Sequence, residues 1–282
     1  MNSVKTVLLL GLLSGVLLVG GQAVGGKNGL ILGLGLAVAM NFFGYFFSDK
    51  MALSMYGAQP VTPTENPDVY RRIGPMTQEL CRRMNLPVPK LWVLPEESPN
   101  AFATGRDPQH GSVAVSAGLL HYMNDAEVEG VIAHELGHIL NRDILISSVA
   151  ATIASAITFL GRMAMFTGGG HRDEEGRGGG GAGALIMMIV APIGALLIQM
   201  AISRTREFGA DAAAAKYTGS PDGLVSALSK LDAYSKRIPM DANPSTAHMF
   251  IVQPFSGGGL MKLFSTHPPI EERIAALRQF AS

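Results

Sequence analysis

Unbroken apolar runs alternate along this chain with segments whose apolar residues recur at helical spacing, and the two patterns predict different surroundings. Four runs, residues 4–23, 29–47, 144–166 and 184–203, approach the length of about 20 residues that a helix needs to cross a bilayer. The first two flank the polar turn Gly25-Gly26-Lys27-Asn28, which predicts a helical hairpin. A signal peptide fits the first run less well: only Lys5 charges its start, no A-x-A cleavage pattern follows, and a second run comes at once. The last two runs are joined by residues 168–183, a glycine-rich stretch around His171-Arg172-Asp173-Glu174-Glu175 that reads as a flexible linker. It lacks the preceding strand and the Gly-Lys-Ser/Thr of a phosphate loop, and Gly33-x-Gly35 lies inside a run.

Between the runs the pattern turns amphipathic. Residues 67–84 carry Val69, Ile73, Met76, Leu80 and Met84 on one side of a helix, a stripe that reads as core. Asn124 and Glu127 form a capping-box pattern ahead of Val128, Ile132, Leu136 and Ile139. Lys90 to Leu94, Ala101 to Thr104 and Ser112 to Val115 read as short strands of a small sheet, separated by Pro, Asn and Gly turns. Further helices start near Pro221 and at Pro268, the latter running to Gln279, with proline in the first turn of each. The organisation that follows is a hairpin over 1–50, a polar segment over 51–143, a second hairpin over 144–203 and a polar segment over 204–282.

Composition agrees with membrane spans. Hydrophobic residues make up 48% and charged residues only 16%, with a mean hydropathy of +0.26. Net charge is zero, which leaves no basic excess for nucleic acid. Cys81, the single cysteine, cannot form an internal disulfide and reads as packing rather than nucleophile. Four crossings place both polar segments on one face. Lys5, Lys50, Arg142, Arg204 and Arg206 lie on that side, against Lys27, Arg162, Arg172 and Arg177 on the other, so the polar segments are expected in the cytoplasm.

The chemistry concentrates in His134-Glu135-Leu136-Gly137-His138. Two histidines four apart on a helix share a face and can point at one ion, while Glu135 can act on the attacking water without being a ligand. Exposed or structurally bonded histidines are the plain alternative. A catalytic zinc takes three protein ligands and leaves a position open. Because an even number of crossings separates them, Arg204 to Asp211 returns to the face of the histidines, and Glu207 is the expected third ligand. Asp211, one turn further, is placed to accept from the far nitrogen of a ligand histidine; both acids read otherwise as surface charges paired with Arg204 or Arg206. Two imidazoles and a carboxylate suit a single Zn2+ best. The fold class expected is α+β and predominantly helical: four transmembrane helices with a zincin-like metalloprotease domain containing a small β-sheet. With only six residues between His138 and Ile144, the site lies within about 9 Å of the membrane surface.

These residues carry a resemblance. His134 to His138 followed by Asn141-Arg142-Asp143, then Ser203-Arg204-x-x-Glu207-x-x-Ala210-Asp211, is similar to the HtpX-type membrane zinc metalloproteases. Pro99 to Gly105, Ala247 to Val252 and Ser265-Thr266-His267-Pro268-Pro269 match as well, so the likeness covers nearly the whole chain. It implies an endopeptidase of the cell inner membrane that removes damaged or misassembled membrane proteins, or unfolded polypeptides, at the cytoplasmic face as part of quality control and stress response. The lipid bilayer is then a partner and nucleic acid is not. The resemblance also favours Asn100, Ala101, Phe102 and Ala103 as a strand edge that binds extended substrate, a reading that spacing alone leaves level with an ordinary edge strand. His267 is either an oxyanion donor or a helix-capping residue, and Arg273 either pairs with a site carboxylate or stays on the surface. Two other functions remain: a prenyl-protein protease with the same chemistry, and a non-catalytic membrane scaffold with a structural zinc centre.

Overall fold

A computed structural model describes residues 2–145, 204–235, 237, 251 and 268–281. Helix α1 (Asn2–Met55) runs as helix from end to end, yet it folds back on itself. Asn41 Nδ2 donates to Ser14 Oγ at 2.9 Å across 27 residues, a stretch that a straight helix would extend to about 40 Å. The reversal falls at the polar turn, where Gly26 has φ 56, a left-handed conformation open to glycine because it lacks a Cβ. Among the described residues one helical stretch, Gly26–Phe47, is long and apolar enough to cross a membrane. Of the four expected spans the described residues thus contain one candidate; the second pair and the glycine-rich loop lie outside the described residues, save residues 144 and 145.

The end of α1 roots in the folded domain. Ala52, Leu53 and Tyr56 bury against Leu94, Phe102 and Ala114. A four-stranded mixed sheet follows from β1 (Gln59–Pro60), β2 (Lys90–Leu94), β3 (Ala101–Gly105) and β4 (Gly111–Ser116), in the order β1-β2-β4-β3. β2 pairs parallel with β4, and the other two neighbours pair antiparallel. The three expected strands are present within a residue at each end. β1 is an addition, two residues containing proline that no alternation could announce.

Helix α2 (Pro67–Met84) starts with proline in its first turn and stops at Asn85, which takes a left-handed cap at φ 53. Ile73, Leu80 and Met84 are buried as the stripe predicts, and Cys81 joins them; burial pushes its thiol up to about 11, so it packs rather than reacts. After the short α3 (Ala117–Tyr122), helix α4 (Asp125–Leu140) opens with the expected capping box. Asn124 Oδ1 accepts from the Glu127 N–H at 3.0 Å and Glu127 Oε2 accepts from the Asn124 N–H at 2.9 Å. The same carboxylate takes the Ser226 hydroxyl at 2.6 Å and Lys230 at 2.8 Å, which ties α4 to another helix.

α4 is the axis of the domain. Val128, Val131, Ile132, Ala133, Leu136 and Ile139 are all fully buried, so beyond its exposed first turn at Asp125 and Ala126 the helix shows no solvent stripe. α2 and β3 pack against it, as do α5 (Arg204–Thr218) and α6 (Asp222–Ser235). α7 (Ile270–Arg278) closes behind α5 and α6. The approach of α5 is set by Gly137, where a Cβ would stand 2.9 Å from the Ala210 backbone. Any side chain there would hold the two helices apart.

Candidate metal centre

That close approach brings three residues together from two helices. His134 and His138 project from α4 and Glu207 from α5, and one donor atom from each lies within 4.8 Å of the others. The two Nε2 atoms are 3.2 Å apart; Glu207 Oε2 is 3.7 Å from His134 Nε2 and Oε1 is 3.6 Å from His138 Nε2. Corners of a tetrahedron around zinc, with nitrogen and oxygen ligands at about 2.0–2.1 Å, are roughly 3.3 Å apart.

The outer contacts decide which way the lone pairs face. His134 Nδ1 is 2.9 Å from Asp211 Oδ1, the contact expected for Asp211, and an Nδ1–H donated there leaves Nε2 as an acceptor. His138 Nδ1 is 3.4 Å from Asp143 Oδ2, with the same consequence. With both rings in that tautomer, two imine nitrogens and a carboxylate face one another in a buried space, with the Arg273 guanidinium 3.4 Å from His134 Nε2 and 3.5 Å from Glu207 Oε2. The donor set fits a divalent ion of zinc type.

Arg273 settles on the ion-pair side of its two readings. Its guanidinium grips Asp211 through two parallel bonds, Nε to Oδ2 at 2.8 Å and Nη2 to Oδ1 at 2.6 Å, and its Nη1 lies 3.5 Å from Glu207. The residue is 1% exposed. A surface arginine and this buried one look alike in sequence.

Charges in the site push in opposite directions. Burial and the Arg273 charge lower His134 to about 4, which keeps it neutral and able to ligate. Burial also lowers His138, but the Asp143 hydrogen bond and the charges of Glu207 and Glu135 outweigh it and raise the residue to about 9. The field here favours one positive charge, whether a proton or a metal ion that displaces it. Glu135 is pushed up to about 7, chiefly by burial and further by Glu207, while His138, the Ala103 backbone N–H and Arg273 oppose the shift. A carboxyl with that affinity can take and return a proton near neutrality.

The strand expected to meet substrate lies beside this carboxylate. β3 is an edge strand, and its Ala103 N–H donates outward to Glu135. Asn100, Ala101, Phe102 and Ala103 are all buried, backbone as well as side chain. Part of that edge is taken already, since the Ile251 N–H donates to the Ala101 carbonyl at 3.2 Å. His267 lies outside the described residues.

Residues 66–281 match the model of peptidase family M48. The "Protease HtpX homolog" of Desulfatibacillum aliphaticivorans is 54% identical over 280 residues, 98% of this chain and 89% of that protein. Its counterpart in Thermodesulfovibrio yellowstonii is 53% identical over 283 residues, 100% and 99% of the two chains. Among solved structures, the crystal structure of S. mikatae Ste24p is similar with a TM-score of 0.53 at 19% identity. That alignment covers 98% of this chain, which spans 65% of the Ste24p chain, and it speaks to the fold alone.

Proposed function

The chain belongs to peptidase family M48, and from that premise we propose that it is a membrane-embedded zinc endopeptidase that cuts membrane proteins, damaged or misassembled ones among them, at the cytoplasmic face. It is a metalloendopeptidase; the substrate class, the face and the choice of zinc are the proposal. One observation carries the reading: His134, His138 and Glu207, drawn from distant parts of the chain, converge their donor atoms beside Glu135.

Zinc bound by this set supplies a Lewis acid that polarises the scissile carbonyl and acidifies water. The rest falls to the protein. Glu135 takes a proton as the water oxygen attacks the carbonyl carbon, and returns it to the amine nitrogen as the C–N bond breaks. An extended peptide could add to the β3 edge by backbone hydrogen bonds that ignore its side chains, but only by displacing the bond that Ile251 makes to Ala101 there. Arg273 and Asp211 keep His134 in its ligating tautomer. The apolar and largely exposed Gly26–Phe47 stretch supports a membrane location, and the charge balance around the expected spans supports the cytoplasmic face.

The test is proteolysis by detergent-purified protein of unmodified membrane-protein substrates and of prenylated peptides, with Glu135→Gln alongside. We expect cleavage of the unmodified substrates, and loss by about 10²–10⁴-fold in the variant with zinc retained. Cleavage of prenylated peptides alone would favour the prenyl-protein reading, and undiminished activity in Glu135→Gln would remove the assigned base.

A further inference from the structure

The metal helix ends in a turn that returns the chain onto its own second histidine. Asn141 closes α4, and Arg142 takes a left-handed conformation at φ 57. The Arg142 N–H donates to the Ile139 carbonyl at 3.1 Å and the Asp143 N–H to the His138 carbonyl at 2.9 Å. This nested pair is a Schellman closure, which lays the second residue beyond the cap over the third residue from the helix end. An apolar contact between those two residues frequently accompanies such turns. Here the contact joins Asp143 to His138, carboxylate to imidazole at 3.4 Å.

Two features of the turn work against its use as a mere helix stop. Arginine occupies the left-handed place that glycine fills without steric cost. A carboxylate only 3% exposed replaces the apolar side chain that would otherwise cover the last turn. Neither choice favours stability, and both place an acceptor at His138 Nδ1. The opposite histidine is served in the same manner by Asp211, with Arg273 as the countercharge. On the His138 side the charge of Arg206, one residue before Glu207, bears on Asp143 and Glu207 together.

We infer that Asp143 is a positioning residue of the metal centre, carried by the closing turn of α4 to hold His138 protonated at Nδ1 with its Nε2 lone pair toward the ion. The inference rests on the metallopeptidase reading and extends it to a second carboxylate–histidine pair. This pair is the looser one, 3.4 Å against 2.9 Å, with the His138 side chain 17% exposed against 1% for His134.

The experiment measures zinc affinity of the full chain by chelator competition, together with the visible absorption of its cobalt(II) form, for wild type, Asp143→Asn, Asp143→Leu and Arg142→Gly. Both Asp143 variants are expected to bind zinc about 10–100-fold more weakly and to shift the cobalt bands, which a purely structural role would leave in place. Arg142→Gly relaxes the turn without touching the histidine, so it should raise Tm at unchanged affinity. If Asp143→Leu does not fold, Asp143→Asn decides, since it keeps size and turn. Wild-type affinity and an unchanged cobalt spectrum in Asp143→Asn would overturn the inference. A wild-type protein that binds no zinc would instead end the metallopeptidase reading beneath it.

Discussion

Helices α1 and α4 are both rich in apolar residues, yet they put those residues to opposite use. In α4, Val128, Val131, Ile132, Ala133, Leu136 and Ile139 are fully buried around His134 and Glu135. In α1, Ile31, Leu32 and Val38 are each more than 60% exposed, and Phe42 and Phe43 more than half. Burial of such side chains in protein contributes about 25 cal/mol per Å² of apolar surface, a gain α1 forgoes within the protein. A helix of that kind has its partner in lipid, whereas α4 has its partners in the chain. The contrast teaches that apolar content alone does not name a helix's surroundings; what separates the two is the polar residues set among the apolar ones and the packing they demand.

Equal substitutions in the two helices should therefore have unequal effects. The largest difference is expected at glycine. Gly137→Val drives a side chain into the Ala210 backbone, should destabilise by about 1–3 kcal/mol or more, and should move Glu207 away from the histidines. Gly35, with nothing within 4 Å of an added Cβ, should accept the same valine with no loss of zinc. Zinc content and thermal unfolding of both variants check this, and a zinc-replete Gly137→Val would break the comparison.

Next in size is truncation of an isoleucine. Ile132→Ala in α4 should cost about 2–5 kcal/mol of domain stability, whereas Ile31→Ala in α1 should leave the unfolding of the domain unchanged in detergent. Equal destabilisation would mean that α1 is packed against protein after all.

The smallest effect belongs to the cap of α4. Burial raises the Glu127 carboxyl, but its bonds to Lys230, Ser226 and the Asn124 backbone outweigh this and lower it below the ordinary carboxylate value. A lowered folded-state value means the stability is present above the unfolded-state value, near pH 4, and is lost as pH falls through the folded one. Thermal unfolding followed from pH 7 down through pH 4 should thus show a decline that Glu127→Gln flattens, with a loss of about 1 kcal/mol at pH 7. An unchanged acid limb in the variant would assign the decline to other groups.

Local signals made much of this legible. The capping box at Asn124 and Glu127, the α2 stripe and three strands follow from nearest neighbours and period, and the structure holds them where the pattern puts them. Glu207 was reachable from the expected topology, in which an even number of crossings would return it to the histidines. Asp143 was not, because its role depends on a left-handed arginine that no propensity announces. The outward N–H of Ala103 escaped for a related reason: a backbone group carries no mark in the sequence, and its direction is fixed by the pairing of β3 with β4. The all-round burial of α4 is likewise a tertiary property, set by α5 coming close at Gly137.

The central claim is that three side chains share one ion, and zinc stoichiometry in the purified protein and in Glu207→Gln tests it most directly. The account predicts one zinc per wild-type chain and less than about a tenth of that in the variant, whose neutral amide is a poor zinc ligand beside two imidazoles. A full zinc complement in Glu207→Gln would contradict it.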